Sequence, residues 1–126
     1  MLHDFISKYL SDIEKALRRL ENAYVECYEE EILSYSRVNL RIRVRFLNNL
    51  LLEINEAIII EAGEIRHLGY RYHFQGPQNN LLFRYDNTPH FPNLASFPHH
   101  KHLESGVIAS DQPSVLDVIK EAKVLV

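Results

Sequence analysis

Five histidines crowd the stretch Tyr70–Leu103, YRYHFQGPQNNLLFRYDNTPHFPNLASFPHHKHL: His73, His90, His99, His100 and His102. Arg71, Arg84 and the pair Asp86–Asn87 stand among them, with all but one of the chain's prolines. Histidine titrates nearest neutral pH, so two imidazoles can serve as base and acid in one cycle. Arginine holds phosphate in a bidentate fork and stabilises negative charge developing on it. Together these are the parts of metal-free phosphodiester cleavage by 2′-OH attack. One group takes the 2′ proton, another protonates the leaving 5′ oxygen, and a cation holds the pentavalent transition state. His73, Arg71 and Arg84 can supply these parts if His99, His100 and His102 fold back over them, with Asp86 orienting a histidine.

The run His99–His102 has two geometries. Extended, it sets His100 and His102 on one side and His99 and Lys101 on the other; as a helical turn it aligns His99 with His102. Either pair could join His73, His90 or Asp86 at a zinc ion. A metal needs three or four convergent ligands, however, and neither a helical HxxxH nor a CxxC knuckle is present, so the expectation is a site without metal or cofactor. Each residue also has a plainer reading: His73 as a structural hydrogen-bonder, Asp86–Asn87 as an Asx turn before Thr88–Pro89, His67 and His90 as surface histidines. Gly-rich phosphate loops, GxSxG elbows and dinucleotide fingerprints are absent.

These groups need a frame. Phe5, Tyr9, Ile13, Leu17 and Leu20 fall at helical spacing, predicting an amphipathic helix from about Asp4 to Glu21. From Ala23 the period shortens to two, and the clearest strand places Val38, Leu40, Ile42, Val44 and Phe46 opposite Asn39, Arg41, Arg43 and Arg45. Asn48–Asn49 marks a tight turn. A third strand carries Leu50, Leu52, Ile54, Ile58 and Ile60 on its apolar side. After the turn Ala62–Glu64, a fourth sets Leu68, Tyr70, Tyr72 and Phe74 against His67, Arg71, His73 and Gln75. A fifth runs from Leu81 to Asp86, followed by a long irregular loop, Asn87–Leu103. Gly106–Ala109 is a last strand or a connector, and Asp111 or Ser114 caps a final helix with a stripe of Val115, Leu116, Val118, Ile119, Ala122 and Leu125. The predicted fold is α+β: an antiparallel meander of about five to six strands with an N-terminal and a C-terminal helix, forming a single domain over residues 1–126.

Composition narrows the function classes. With 46% hydrophobic and 25% charged residues, neither a disordered nor a fibrous protein fits. The net charge of −3 gives no overall pull towards nucleic acid, so a basic surface must be local. Acidic residues gather early (Glu26, Glu29, Glu30, Glu31) and the arginines of Arg41–Arg45 follow at once. That arginine face is either a solvated strand surface or an anion-binding one. Cys27, alone, excludes an internal disulfide and reads as a core residue. No secretory leader or membrane-length apolar run is evident, which predicts a cytoplasmic protein.

Three blocks carry a resemblance. YRYHFQ at 70–75, LLFRYDNTPHFP at 81–92 and FPHHKHL at 97–103 resemble the blocks "RYHYQ", "LIFRYDNAPHHP" and "FPHHKH" of the TumE family, toxins of type II toxin–antitoxin systems. LRIRVRF at 40–46 resembles the arginine-rich strand upstream of them. Phe74 replaces a common tyrosine, and Phe91 a common second histidine. The resemblance implies a small cytoplasmic toxin neutralised by a helix-turn-helix antitoxin.

The expectation is therefore an RNA-cleaving toxin. His73, His99, His100 and His102 would do the acid–base work, Arg84 and Arg71 hold the phosphate, and Asp86 orient a histidine. Arg41, Arg43, Arg45 and Lys101 would guide the RNA backbone. Two rivals stay open: a non-catalytic toxin that blocks a nucleic acid or protein, and a metal-dependent nuclease or phosphotransferase. An exposed stripe of Phe5, Tyr9 and Ile13 would add a homodimer or antitoxin contact.

Overall fold

A computed structural model describes residues 1–126. Strict alternation along LRIRVRF leaves the chain one economical solution, a sheet with one face buried and the other polar. The strands are β1 (Ala23–Ser34), β2 (Arg37–Phe46), β3 (Leu51–Glu61), β4 (Glu64–Gln75), β5 (Leu81–Asp86), β6 (His100–Leu103) and β7 (Gly106–Ala109). They lie side by side in sequence order, every pair antiparallel. Short connections enforce this from β1 to β5 and from β6 to β7, where there is no chain to cross over with, while residues 87–99 form a longer connection from β5 to β6. Ala62 and Gly63 both take positive φ, 51° and 75°, so the backbone twist of their two-residue turn suits the strands it joins.

Two helices cover the apolar face. α1 (Asp4–Arg18) starts at His3, whose Nδ1 accepts the Phe5 N–H at 3.0 Å, and buries Ile6, Leu10, Ile13 and Leu17. α2 (Val115–Leu125) is capped by Ser114, whose Oγ accepts the Asp117 N–H at 3.1 Å, and buries Val115, Val118, Ile119 and Ala122. Their stripes meet Val38, Leu40, Ile42, Val44, Leu52, Ile54, Tyr72, Phe74 and Phe83 in one core. The stripe proposed for a partner is thus taken up by the sheet. Ile13 is buried and Tyr9 hydrogen-bonds inward to Glu56, leaving Phe5 exposed. Neither helix is long and apolar enough to cross a membrane.

Three details depart from the sequence reading, and Glu56, which it left unplaced, adds a fourth. The sheet has seven strands, because the irregular segment ends at His99 and the histidine run becomes β6, paired to β5. Polar strands hide from apolar periodicity. A bulge at Leu68 rotates His67 onto the helix side, opposite Ile58, and pushes Leu68 outward to 44% exposure. Glu56 points into the core side, accepting hydrogen bonds from the Tyr9 and Tyr72 hydroxyls and pairing with His67 Nε2 at 2.8 Å. Cys27 lies half-buried opposite Arg43, outside the core.

Candidate functional site on the open face

Antiparallel register turns sequence alternation into lateral rows of side chains. One row crosses the open face as Glu29, Arg41, Asn55, Arg71, Asp86 and His100. The next row reads Cys27, Arg43, Glu53, His73, Arg84 and His102. Residues about ten to twenty positions apart in sequence therefore stand one strand spacing from one another, about 4.8 Å. β6 is what closes the site: its extended form sends His100 and His102 to this face and Lys101 to the other.

Asp86 is the hub. Its Oδ1 accepts the Thr88 N–H at 3.0 Å, an Asx turn that ends β5, and lies 2.8 Å from His100 Nε2. Its Oδ2 lies 3.5 Å from His102 Nε2. His100 is 1% exposed, and its Nδ1–H donates to the Pro98 carbonyl at 3.0 Å. Phe91, from the loop after β5, sets its ring edge-on against both imidazoles, with centroids 4.9 Å from His100 and 5.8 Å from His102. Alternation could not reveal Phe91; it roofs the cluster and leaves His102, 24% exposed in its side chain, as the open side. Burial, with help from the His100 and Arg84 charges, holds the His102 pKa below its ordinary value against the pull of Asp86.

His73 has a different task. Arg84 Nε–H donates to its Nδ1 at 3.1 Å, and its Nε2–H donates to Gln75 Oε1 at 2.8 Å. Both ring nitrogens are committed, so His73 positions the Arg84 guanidinium and holds no free lone pair for a substrate proton. Burial pushes its pKa down, and Arg84 and Arg71 add to this against Gln75 and Glu53. A depressed histidine pKa means the unfolded chain binds the proton first. Stability from neutral His73 is therefore complete above the ordinary value of 6.5 and is lost as pH falls through the lowered folded value. Between about pH 7.5 and 5 the thermal midpoint of wild type should fall more steeply than that of His73→Gln. Parallel curves would remove this role.

The arginines divide. Arg45 pairs with Glu26 at 3.1 Å, and Arg43 bridges Glu53 at 3.2 Å and Glu26 at 3.5 Å. The Arg45 hydrogen bond is the main reason the Glu26 pKa is lowered. Arg41 and Arg71 are exposed with no carboxylate partner, as is half-buried Arg84. Arg41 and Arg71 line an open groove of about 480 Å³ together with Ala57 and Gly69, small residues that let a ligand approach the backbone, and with Glu29 and Glu31 of β1. Two expected members lie elsewhere. Lys101 sits over Tyr85 on the helix side and pairs with Glu121 of α2 at 2.7 Å. Burial opposes its charge, but Glu121 and Tyr85 outweigh it and raise its pKa. His99 bonds the Tyr70 hydroxyl at 3.0 Å in a separate cleft beside His67, Pro98 and Gln112.

The open face thus offers the Asp86 carboxylate, the His100 and His102 imidazoles and guanidiniums without a carboxylate partner in adjoining rows, with Glu29 at the β1 end, and the guanidiniums suit an anionic ligand. Among curated proteins and among solved structures, nothing matches the chain. The family model described as Toxin TumE matches residues 13–125, nearly the whole length and both of these rows. The chain belongs to the TumE family, and its role is that of a toxin in a toxin–antitoxin system, with an antitoxin as its partner.

Proposed function

We propose that this toxin is an endoribonuclease of a type II system, acting in the cytoplasm and restrained by a helix-turn-helix antitoxin. The observation that carries the catalytic part is the meeting of Asp86, His100 and His102 with Arg84 on the open face. Arg41 and Arg71 hold backbone phosphates in the groove, and Arg84, aimed by His73, receives the scissile one. His102 is the group with solvent access, so it exchanges the proton with the 2′-OH or the leaving oxygen while Asp86 holds its ring. Such transfer needs no metal and leaves 2′,3′-cyclic phosphate and 5′-hydroxyl ends.

Induction without antitoxin should stop growth and fragment RNA with those ends. The double variant Arg41→Glu, Arg71→Glu should lose most of both effects, because two phosphate contacts become repulsive. Growth arrest with intact RNA would remove the ribonuclease reading and leave a toxin that acts by binding.

A further inference from the structure

We infer that Asp86, His100 and His102 form a binding site for one divalent transition metal ion, of the class of Zn²⁺, Mn²⁺ or Ni²⁺. Their ligand atoms, one from each residue, lie within 4.8 Å of one another. Ligands about 2.0–2.2 Å from a common ion stand roughly 3 to 3.6 Å apart. The contacts of 2.8 Å from Asp86 Oδ1 to His100 and 3.5 Å from Asp86 Oδ2 to His102 lie close to that spacing.

His100 supplies the second, independent observation. Its Nδ1–H is spent on the Pro98 carbonyl, which can only accept, so in the neutral ring Nε2 carries the lone pair. That nitrogen is buried, faces a carboxylate oxygen at 2.8 Å, and lacks the alignment of a hydrogen bond, leaving it without a partner. A lone pair held against a carboxylate is repulsive. A cation between them turns both into ligands, and an N–H donated to a backbone carbonyl is the usual second contact of a metal-bound histidine. The Thr88 N–H likewise steadies Asp86, and Phe91 supplies the apolar wall. Two imidazoles and one carboxylate select transition metals over Mg²⁺ and Ca²⁺, which prefer oxygen, and leave positions open on the His102 side for water or a phosphate oxygen.

The inference does not rest on RNA cleavage, since occupancy belongs to the folded chain. The metal-free proton transfer described above is then the chemistry of the stripped protein. The loaded cluster offers a Lewis acid instead. The test uses full-length toxin without a histidine tag, stripped with chelator and titrated with Zn²⁺, Mn²⁺ and Ni²⁺ separately. At least one metal should bind at one equivalent and raise the thermal midpoint by several degrees. His102→Gln, at a partly exposed side chain outside the hydrophobic core, should weaken binding at least tenfold. His3→Ala and His99→Ala should bind as wild type. Failure of all three metals to bind stoichiometrically, or equal uptake by wild type and His102→Gln, overturns the site. RNA fragmentation is read in parallel, so loss of one reading leaves the other intact.

Discussion

His102→Ala is expected to silence the toxin, cutting RNA cleavage by about 10²–10⁴-fold, the range for removing a positioned proton-transfer group. Its side chain, about a quarter exposed, sits at the mouth of the cluster, 3.5 Å from Asp86, so truncation leaves the core untouched. The comparison that gives the result meaning is His99→Ala. His99 is three residues away in sequence, yet it lies in another cleft, bonded to Tyr70. It should cleave within a few-fold of wild type. A toxin that keeps its lethality in His102→Ala but loses it in the Arg41, Arg71 double variant is a binder and not a nuclease. Equal damage from His99→Ala and His102→Ala would mean that the clefts act together. The open-face site would then be incomplete as drawn.

Glu56→Ala should be the most damaging single truncation for folding, at about 3–5 kcal/mol. Glu56 is 4% exposed and collects the Tyr9 hydroxyl at 2.7 Å, the Tyr72 hydroxyl, and His67 Nε2 at 2.8 Å. Gln112 then donates to His67 Nδ1 at 2.9 Å, so one carboxylate ties α1, β3, β4 and the approach to α2. Burial, then the Glu56 charge, raises both tyrosine pKa values and keeps the hydroxyls protonated as donors. Alanine strands three donors beside the core, whereas Glu56→Gln keeps an acceptor and should lose about half as much. Denaturant midpoints on the purified variants decide it. A loss under about 1 kcal/mol for alanine would show that desolvating the carboxylate cancels what its bonds return.

How much of this could be read from sequence follows from what periodicity can carry. Val38–Phe46 and Tyr70–Phe74 announce their strands because apolar residues repeat every second position, and the helix stripes announce themselves likewise. That periodicity alone sets Arg71, His73, Arg84 and Asp86 on one face. The histidine run hid its strand, since alternating His and Lys gives no hydrophobic signal; only the option of extended geometry was visible. His67 moved because one extra residue at Leu68 inverts the parity behind it. Glu56 was legible in hindsight, sharing parity with Leu52, Ile54 and Ile58. Phe91 and the His73–Arg84 bond depend on loop path and rotamer, which no spacing encodes.

The four residues of β6 carry a burden of parity. Lys101 is fastened to Glu121 beneath the sheet while its two neighbours serve the upper surface. Deleting His102 while the β6–β7 turn keeps its register would leave the composition nearly unchanged. It would also exchange the storeys, sending the His100 imidazole down among the helices and the Lys101 ammonium up to the carboxylate. In this segment chain length is therefore as much a determinant of the Asp86–His100–His102 cluster as the identity of any histidine.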